Sequence, residues 1–304
     1  MSRLVAAANR LPPPIRDRLQ RLRWRIDALG FPRIRWWKKT QTLRAYGVSI
    51  REKPGPVLRY TFLDPELANF TYELGNQEEL AAFVADAFDT TPAQVERFFR
   101  ETADDPELNE MLQERLRHRK DRKRTPLFGR RLGWYAIARV VKPSVIVETG
   151  IHDGLGSVLL LRALDRNAEA GTPGRLISID INPQSGWLVA DRLRANWQPV
   201  LGSTFDVLED AVRGLEVGMI VHDSQHTYEC ELFEFSTAVA NAAPTLALVS
   251  DNAHATSSLR DVCDDLGIAY RFFREQPTGH FYPGAGIGLG VLNRARPSAA
   301  PDSP

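Results

Sequence analysis

The chain has 304 residues, 43% of them hydrophobic and 25% charged, with a formal net charge of +1. That is the make-up of a soluble globular protein, with room for one α/β domain of about 160–200 residues and an appendage. No apolar run reaches the length of a bilayer span, Met1–Pro14 lacks a signal-peptide core, and Cys230 and Cys263 alone exclude a disulfide framework, all of which point to the cytoplasm.

The near-zero charge conceals an asymmetry. Residues 1–45 hold twelve Lys/Arg against Asp17 and Asp27, whereas residues 146–304 hold eleven Arg, twenty acids and no lysine. Residues 12–28 read as a basic helix opened by prolines, followed by Trp36, Trp37, Lys38 and Lys39. Such a leader can pack on the acidic part of its own chain, lie on anionic lipid or touch nucleic acid.

Next comes a helical region. Asn76 or Gln77 opens Glu78 to Phe88, Thr90-Thr-Pro carries an N-cap and N1-proline signature for a helix to about Glu101, and Pro106 opens a third. The charged run Arg115 to Arg124 reads as a solvated helix end or linker. A helix from Arg130 to Val141 then leads into alternating elements, with strands expected at 145–149, 175–180, 197–201, 218–222, 245–250, 269–274 and 286–293. Seven strands with helices between the first six predict an α/β, doubly wound, Rossmann-like sheet over 130–294, behind a helical N-terminal region 1–129 and before a disordered tail 295–304. Such a sheet takes its ligands at the carboxyl ends of its strands.

The first strand–turn–helix unit is Val145-Ile-Val-Glu-Thr-Gly-Ile-His-Asp-Gly-Leu-Gly-Ser157. A dinucleotide fold binds pyrophosphate with closely spaced glycines at a helix N-terminus. Here Glu148 precedes Gly150 and Gly154, and a carboxylate repels a pyrophosphate but suits a cationic cofactor with an amino group, such as S-adenosylmethionine. Asp180 ends the second strand, where an acid receives ribose hydroxyls or else caps the turn at Asn182-Pro183.

The fourth strand ends in His222-Asp223 with His226 three residues on, and the fifth ends in Asp251-Asn252. Asp223, Asp251 and Asn252 offer three hard oxygen ligands that suit Mg²⁺. Histidines beside carboxylates can instead hold zinc or iron, and Asp251-Asn252 can simply cap a helix with His222 packed. His226 can take a proton from an acceptor hydroxyl.

Together, Glu148-Thr-Gly150-x-x-x-Gly154, Asp180, His222-Asp223-x-x-His226-x-Tyr228-Glu229 and Ser250-Asp251-Asn252 resemble the class I S-adenosylmethionine-dependent methyltransferases. More narrowly, they resemble the methyltransferase domain 24 group, which includes cephalosporin hydroxylase-like proteins and sugar and macrolide O-methyltransferases. The resemblance spans about 130–293. It implies Mg²⁺ on Asp223, Asp251 and Asn252, a base at His226 where catechol-type relatives use a lysine, and Asp223 at the cofactor. It also places Gly202-Ser203 at the adenine edge, Glu148 and Gly150 at the methionine end, Ser157 near the cofactor carboxylate, and the loop His280–Gly286 on the acceptor pocket. Gly156 stands where relatives often carry Ser or Thr, which can displace Ser157 from that carboxylate, and Gln225 stands where they often carry a second acid. The expected activity is O-methylation of a small-molecule, sugar or lipid-linked hydroxyl, with peripheral contact to an anionic membrane and a homo-oligomeric assembly as expected associations. The rival activities are nucleic-acid methylation using the basic leader, cofactor binding without transfer, and a metal-dependent oxygenase suggested only by the hydroxylase-like names among relatives; no RNA module or target-base motif supports the first.

Overall fold

The computed structural model describes residues 32–65, 71–124 and 126–294; the expected basic helix 12–28 and the tail 295–304 lie outside them. The N-terminal region comprises α1 (Pro32–Ala45), α2 (Pro54–Leu58) running into a π-helical turn (Arg59–Leu63), the short strand β1 (Glu73–Leu74), α3 (Gln77–Ala87), α4 (Pro92–Ala103) and α5 (Pro106–Leu116). The caps follow the sequence signals. Thr91 accepts from the Gln94 N–H ahead of Pro92, and Asp105 accepts from Leu108 ahead of Pro106, satisfying amides that a helix start leaves without partners.

Helix α6 (Arg131–Val141) ends at Lys142, whose φ of 50° turns the chain out of the helix into the sheet. The α/β part then runs β2 (Val145–Thr149), α7 (Leu155–Glu169), β3 (Arg175–Asp180), a 3₁₀ turn, β4 (Trp197–Leu201), α8 (Thr204–Val212), β5 (Val217–His222), α9 (Tyr228–Ala240), β6 (Ala242–Asp251), α10 (Ser258–Leu266), β7 (Arg271–Arg274), β8 (Pro277–Thr278) and β9 (Gly286–Asn293). The seven-stranded sheet has the order β4-β3-β2-β5-β6-β9-β7. The first five strands are mutually parallel, and β9 runs antiparallel between β6 and β7. All five residues of β2 are buried, as a central parallel strand covered on both faces requires. The order reverses between β2 and β3 on one side and β5 on the other, which opens a crevice at their carboxyl ends.

One face of the sheet carries α6 and α7, and α3, α4 and α5 join the same apolar core through Leu80, Val84, Phe99 and Leu112. The other face carries α8, α9 and α10 over Ile177, Ile220 and Leu248. A third, smaller cluster joins Leu43, Val57, Tyr60 and Tyr72 to Phe281 and Tyr282.

Three features depart from expectation. The fifth expected strand is longer, at Ala242–Asp251, because Ala242 already pairs with Val217 of β5 and Asp251 still pairs with Ile287 of β9. Strands β1 and β8, far apart in sequence, form a separate two-stranded antiparallel sheet. The charged run after α5 is only partly solvated: Arg117, His118, Lys120 and Arg124 are exposed, but Arg119 and Arg122 pair with Asp121, and Arg122 lies 3.5 Å from Asp153 in the glycine loop.

Candidate active site

The glycine loop leaves β2 at Gly150, where φ is +86°, and enters α7 at Gly154, where φ is +93°. Both positions need a residue without a side chain. A Cβ on Gly150 would stand 2.1 Å from the Asp223 carbonyl oxygen, and one on Gly154 would stand 2.8 Å from Gly186 Cα. The loop from β2 is therefore pressed against the start of the loop after β5.

Glu148 and Ser157 do not face the crevice. Glu148 is 1% exposed and its Oε2 accepts from Ser157 Oγ at 2.5 Å and Ser178 Oγ at 2.7 Å. Burial raises its pKa to about 7, against the opposing pull of the two hydroxyls. The contacts expected of Glu148 with an amino group and of Ser157 with a carboxylate are replaced by a bond between the two, because alternation along β2 points Glu148 beneath the helix start.

Asp180 ends β3 at the crevice. Its Oδ2 accepts from the amides of Ile151 and His152 at 2.9 and 3.0 Å, and its Oδ1 from Asn182 at 2.8 Å. It thus clamps the glycine loop and caps the Asn182 turn, while Oδ1, with two lone pairs and one partner, retains an acceptor direction. Gly202 donates its amide to the Asp180 carbonyl, and Ser203 precedes α8 without a side-chain cap bond. Around them Ile181, Leu201 and Phe205 are exposed, forming an apolar ledge at the ends of β3 and β4.

At the ends of β5 and β6 two buried acids of α9, Glu231 and Glu234, act as fasteners. Glu234 accepts from Thr149 Oγ1 at 2.5 Å and Ser224 Oγ at 2.7 Å and lies 2.6 Å from His222 Nδ1. Glu231 accepts from Ser250 and Thr256. Burial pulls the His222 pKa down, but the bond and charge of Glu234 outweigh it, so the net shift is upward. His222 is fully buried and serves this network.

Asp223 and His226 come together as their spacing implies, with His226 Nε2 3.7 Å from Asp223 Oδ1. Asn252, held at a φ of 54°, directs its amide nitrogen to His226 Nε2 at 3.0 Å. Burial lowers the His226 pKa to about 4, with His222 and Arg130 adding to the effect, so the imidazole is neutral at pH 7. Burial, followed by the charge of Asp251, raises the pKa of Asp223.

The side chains of Asp223, His226 and Asp251 approach one another closely enough to share an ion. The donors nevertheless do not fit Mg²⁺. Both oxygens of Asp251 are taken by the guanidinium of Arg130, which is 1% exposed, and Arg130 also donates to Tyr72 Oη at 2.6 Å and Glu275 Oε1 at 3.0 Å. The third donor is an imidazole, which suits softer metals, while the Asn252 amide nitrogen is engaged with that same ring. A fixed cation thus stands on the carboxylate that a divalent ion would need, and the expected Asp223–Asp251–Asn252 magnesium site gives way to a buried Arg130–Asp251–Glu275–Tyr72 network. Burial alone would raise the Asp251 pKa, but Arg130 outweighs it and holds the carboxylate ionised.

His280 and Phe281, from the loop expected at the acceptor pocket, wall a cavity of about 290 Å³ together with Arg59, Tyr60, Tyr72 and Lys123. Tyr72 both lines this cavity and bonds Arg130. Arg130, Glu234, Tyr72 and Glu275 escape sequence reasoning. Only Glu231 and Glu234 leave a signal, two acids three apart on the apolar face of α9.

Residues 147–253 match the family model of a methyltransferase domain. No curated protein matches the sequence. Among solved structures, an O-methyltransferase from Bacillus cereus in complex with SAH is 11% identical, with a TM-score of 0.44 over 71% of this chain and 97% of that one. The O-methyltransferase TomG from Streptomyces achromogenes, involved in tomaymycin synthesis and solved with SAM, is 15% identical, with a TM-score of 0.43 over 80% of this chain and 97% of that one.

Proposed function

We propose that this chain, whose residues 147–253 match a methyltransferase domain, is an S-adenosylmethionine-dependent methyltransferase acting on a hydroxyl of a small-molecule, sugar or lipid-linked acceptor. The observation that carries this reading is the coincidence of the matched segment with a crevice whose donors suit an adenosine. Asp180 Oδ1 keeps an acceptor direction for a ribose hydroxyl, and Ile181, Leu201 and Phe205 offer an apolar ledge for a purine beside Gly202-Ser203. When bound, the cofactor supplies a sulfonium methyl open to in-line attack by an oxygen.

The chain's own groups then position and deprotonate. Gly150 lets the loops of β2 and β5 close together, which brings Asp223 beside the glycine loop, and Gly154 lets that loop pack against Gly186. His226, neutral and half-buried, presents Nε2 as the acceptor for the hydroxyl proton as the new carbon–oxygen bond forms. Asn252 donates to that lone pair in the resting site and yields it to the arriving hydroxyl. The Arg130 network fixes Asp251 behind them, and no step passes through a metal. The loop at His280 and Phe281 borders the acceptor side. Transfer of a labelled methyl from S-adenosylmethionine to a panel of hydroxylated acceptors tests the reading. Transfer to an oxygen in EDTA supports it, and transfer only to nucleic acid, or none to any acceptor with the cofactor bound, overturns it.

A further inference from the structure

Seven of the twelve exposed large hydrophobic side chains among the described residues fall between residues 36 and 63. The arrangement follows from helix geometry. In α1, Lys39 and Leu43 face inward one turn apart, while Trp36 and Trp37 are 53% and 57% exposed. In α2 and its π-turn, Val57 and Tyr60 are buried, and Leu58, Phe62 and Leu63 point outward, the last two 69% and 79% exposed. The inner side is anchored: Val57 and Tyr60 pack on Phe281 and Tyr282, and Lys53 Nζ donates to the Tyr282 carbonyl at 3.2 Å. The outer side has no such cover among the described residues.

The charge in the same segment is one-sided. Residues 32–63 contain eight Lys/Arg and one acid, Glu52, whereas residues 64–304 contain twenty-four Lys/Arg against thirty-five acids. Arg44, Arg51 and Arg59 are exposed alongside the apolar side chains. Scattered exposed apolar residues are ordinary, but a concentration of Trp, Phe and Leu within one segment that also exposes three arginines combines the two attractions an interfacial segment uses. Tryptophan settles at the headgroup level, and arginine pairs with anionic lipid while its stem covers apolar surface.

We propose that residues 36–63 form a surface that docks on an anionic lipid bilayer, with Trp36, Trp37, Phe62 and Leu63 entering the headgroup region and Arg44, Arg51 and Arg59 contacting lipid phosphates or carboxylates. An acidic protein partner would satisfy the arginines but not require four protruding apolar side chains, and nucleic acid would leave the aliphatic ones exposed. The inference does not depend on the chemistry of the crevice.

The full chain is sedimented with vesicles of phosphatidylcholine alone and of phosphatidylcholine with phosphatidylserine, at low and high salt. Binding to the anionic vesicles that weakens with salt, with a blue shift in tryptophan emission, is the expected result. Serine at Trp36, Trp37, Phe62 and Leu63 together should weaken partitioning on the order of tenfold or more, because each removes buried apolar area. The separate variant Arg44→Glu/Arg51→Glu/Arg59→Glu should abolish binding with the tryptophans intact, which keeps the test decisive if the first variant misfolds. The proposal fails if neither vesicle binds at low salt, or if both variants bind as the parent does. It also fails if a labelled oligonucleotide or a second copy of the chain occupies the surface while vesicles do not.

Discussion

Replacing Glu148 by glutamine separates a structural role from direct cofactor contact. In the folded chain this carboxyl is buried between Ser157 and Ser178, and its pKa stands at about 7 against an ordinary 4.5. Between those two values the unfolded chain has released the proton while the folded chain keeps it. The unfolded state therefore binds fewer protons, and stability falls as pH rises through that window. The displacement corresponds to about 3 kcal/mol in full, of which about 2.5 kcal/mol is lost between pH 5 and 8. Glutamine carries no such charge, so the variant should gain about 2.5 kcal/mol relative to the parent on moving from pH 5 to pH 8. Urea unfolding of both proteins at the two pH values gives this double difference, in which all other titrating groups cancel. A double difference within about 0.5 kcal/mol of zero, the usual error of such comparisons, would refute the burial argument. A collapse of cofactor affinity at unchanged stability would return Glu148 to the crevice.

Two further predictions concern the crevice and its fixed cation. With its pKa lowered to about 4, His226 is already neutral at pH 5, so turnover should show no imidazole inflection between pH 5 and 8; His226→Ala should lower turnover on the order of 10²–10⁴-fold with S-adenosylhomocysteine affinity retained. Because Arg130 covers both Asp251 oxygens, transfer should be indifferent to EDTA, and Arg130→Met should destabilise the chain by about 3–5 kcal/mol by stranding two buried carboxylates, read by denaturant unfolding.

Much of the sheet was legible because its strands are short β-branched runs bounded by Gly, Pro or Asp. The expected spans 145–149, 175–180, 197–201 and 286–293 coincide with β2, β3, β4 and β9. The convergence of Asp223 with His226 was legible too, since three residues past a strand end return a side chain to the same crevice. The direction in which Glu148 points was not. A carboxylate at a strand end reads as a ligand unless Ser178, thirty residues away, is known to lie beside it. Arg130 was hidden for the same reason: at the head of α6 it looks like any surface arginine, and only packing brings Tyr72, Asp251 and Glu275 around it. Networks assembled from four distant segments leave no spacing in the sequence.

The crevice at the ends of β2, β3 and β5 is proposed to bind S-adenosylmethionine. Calorimetric titration of the full chain with S-adenosylhomocysteine and with NAD tests it most directly, repeated on Asp180→Ala with the fold checked by circular dichroism. One saturable site is expected for S-adenosylhomocysteine, none for NAD, and a loss on the order of 1.5–3 kcal/mol in the variant as the charge-assisted ribose bonds disappear. Saturable NAD binding with no response to S-adenosylhomocysteine would contradict it.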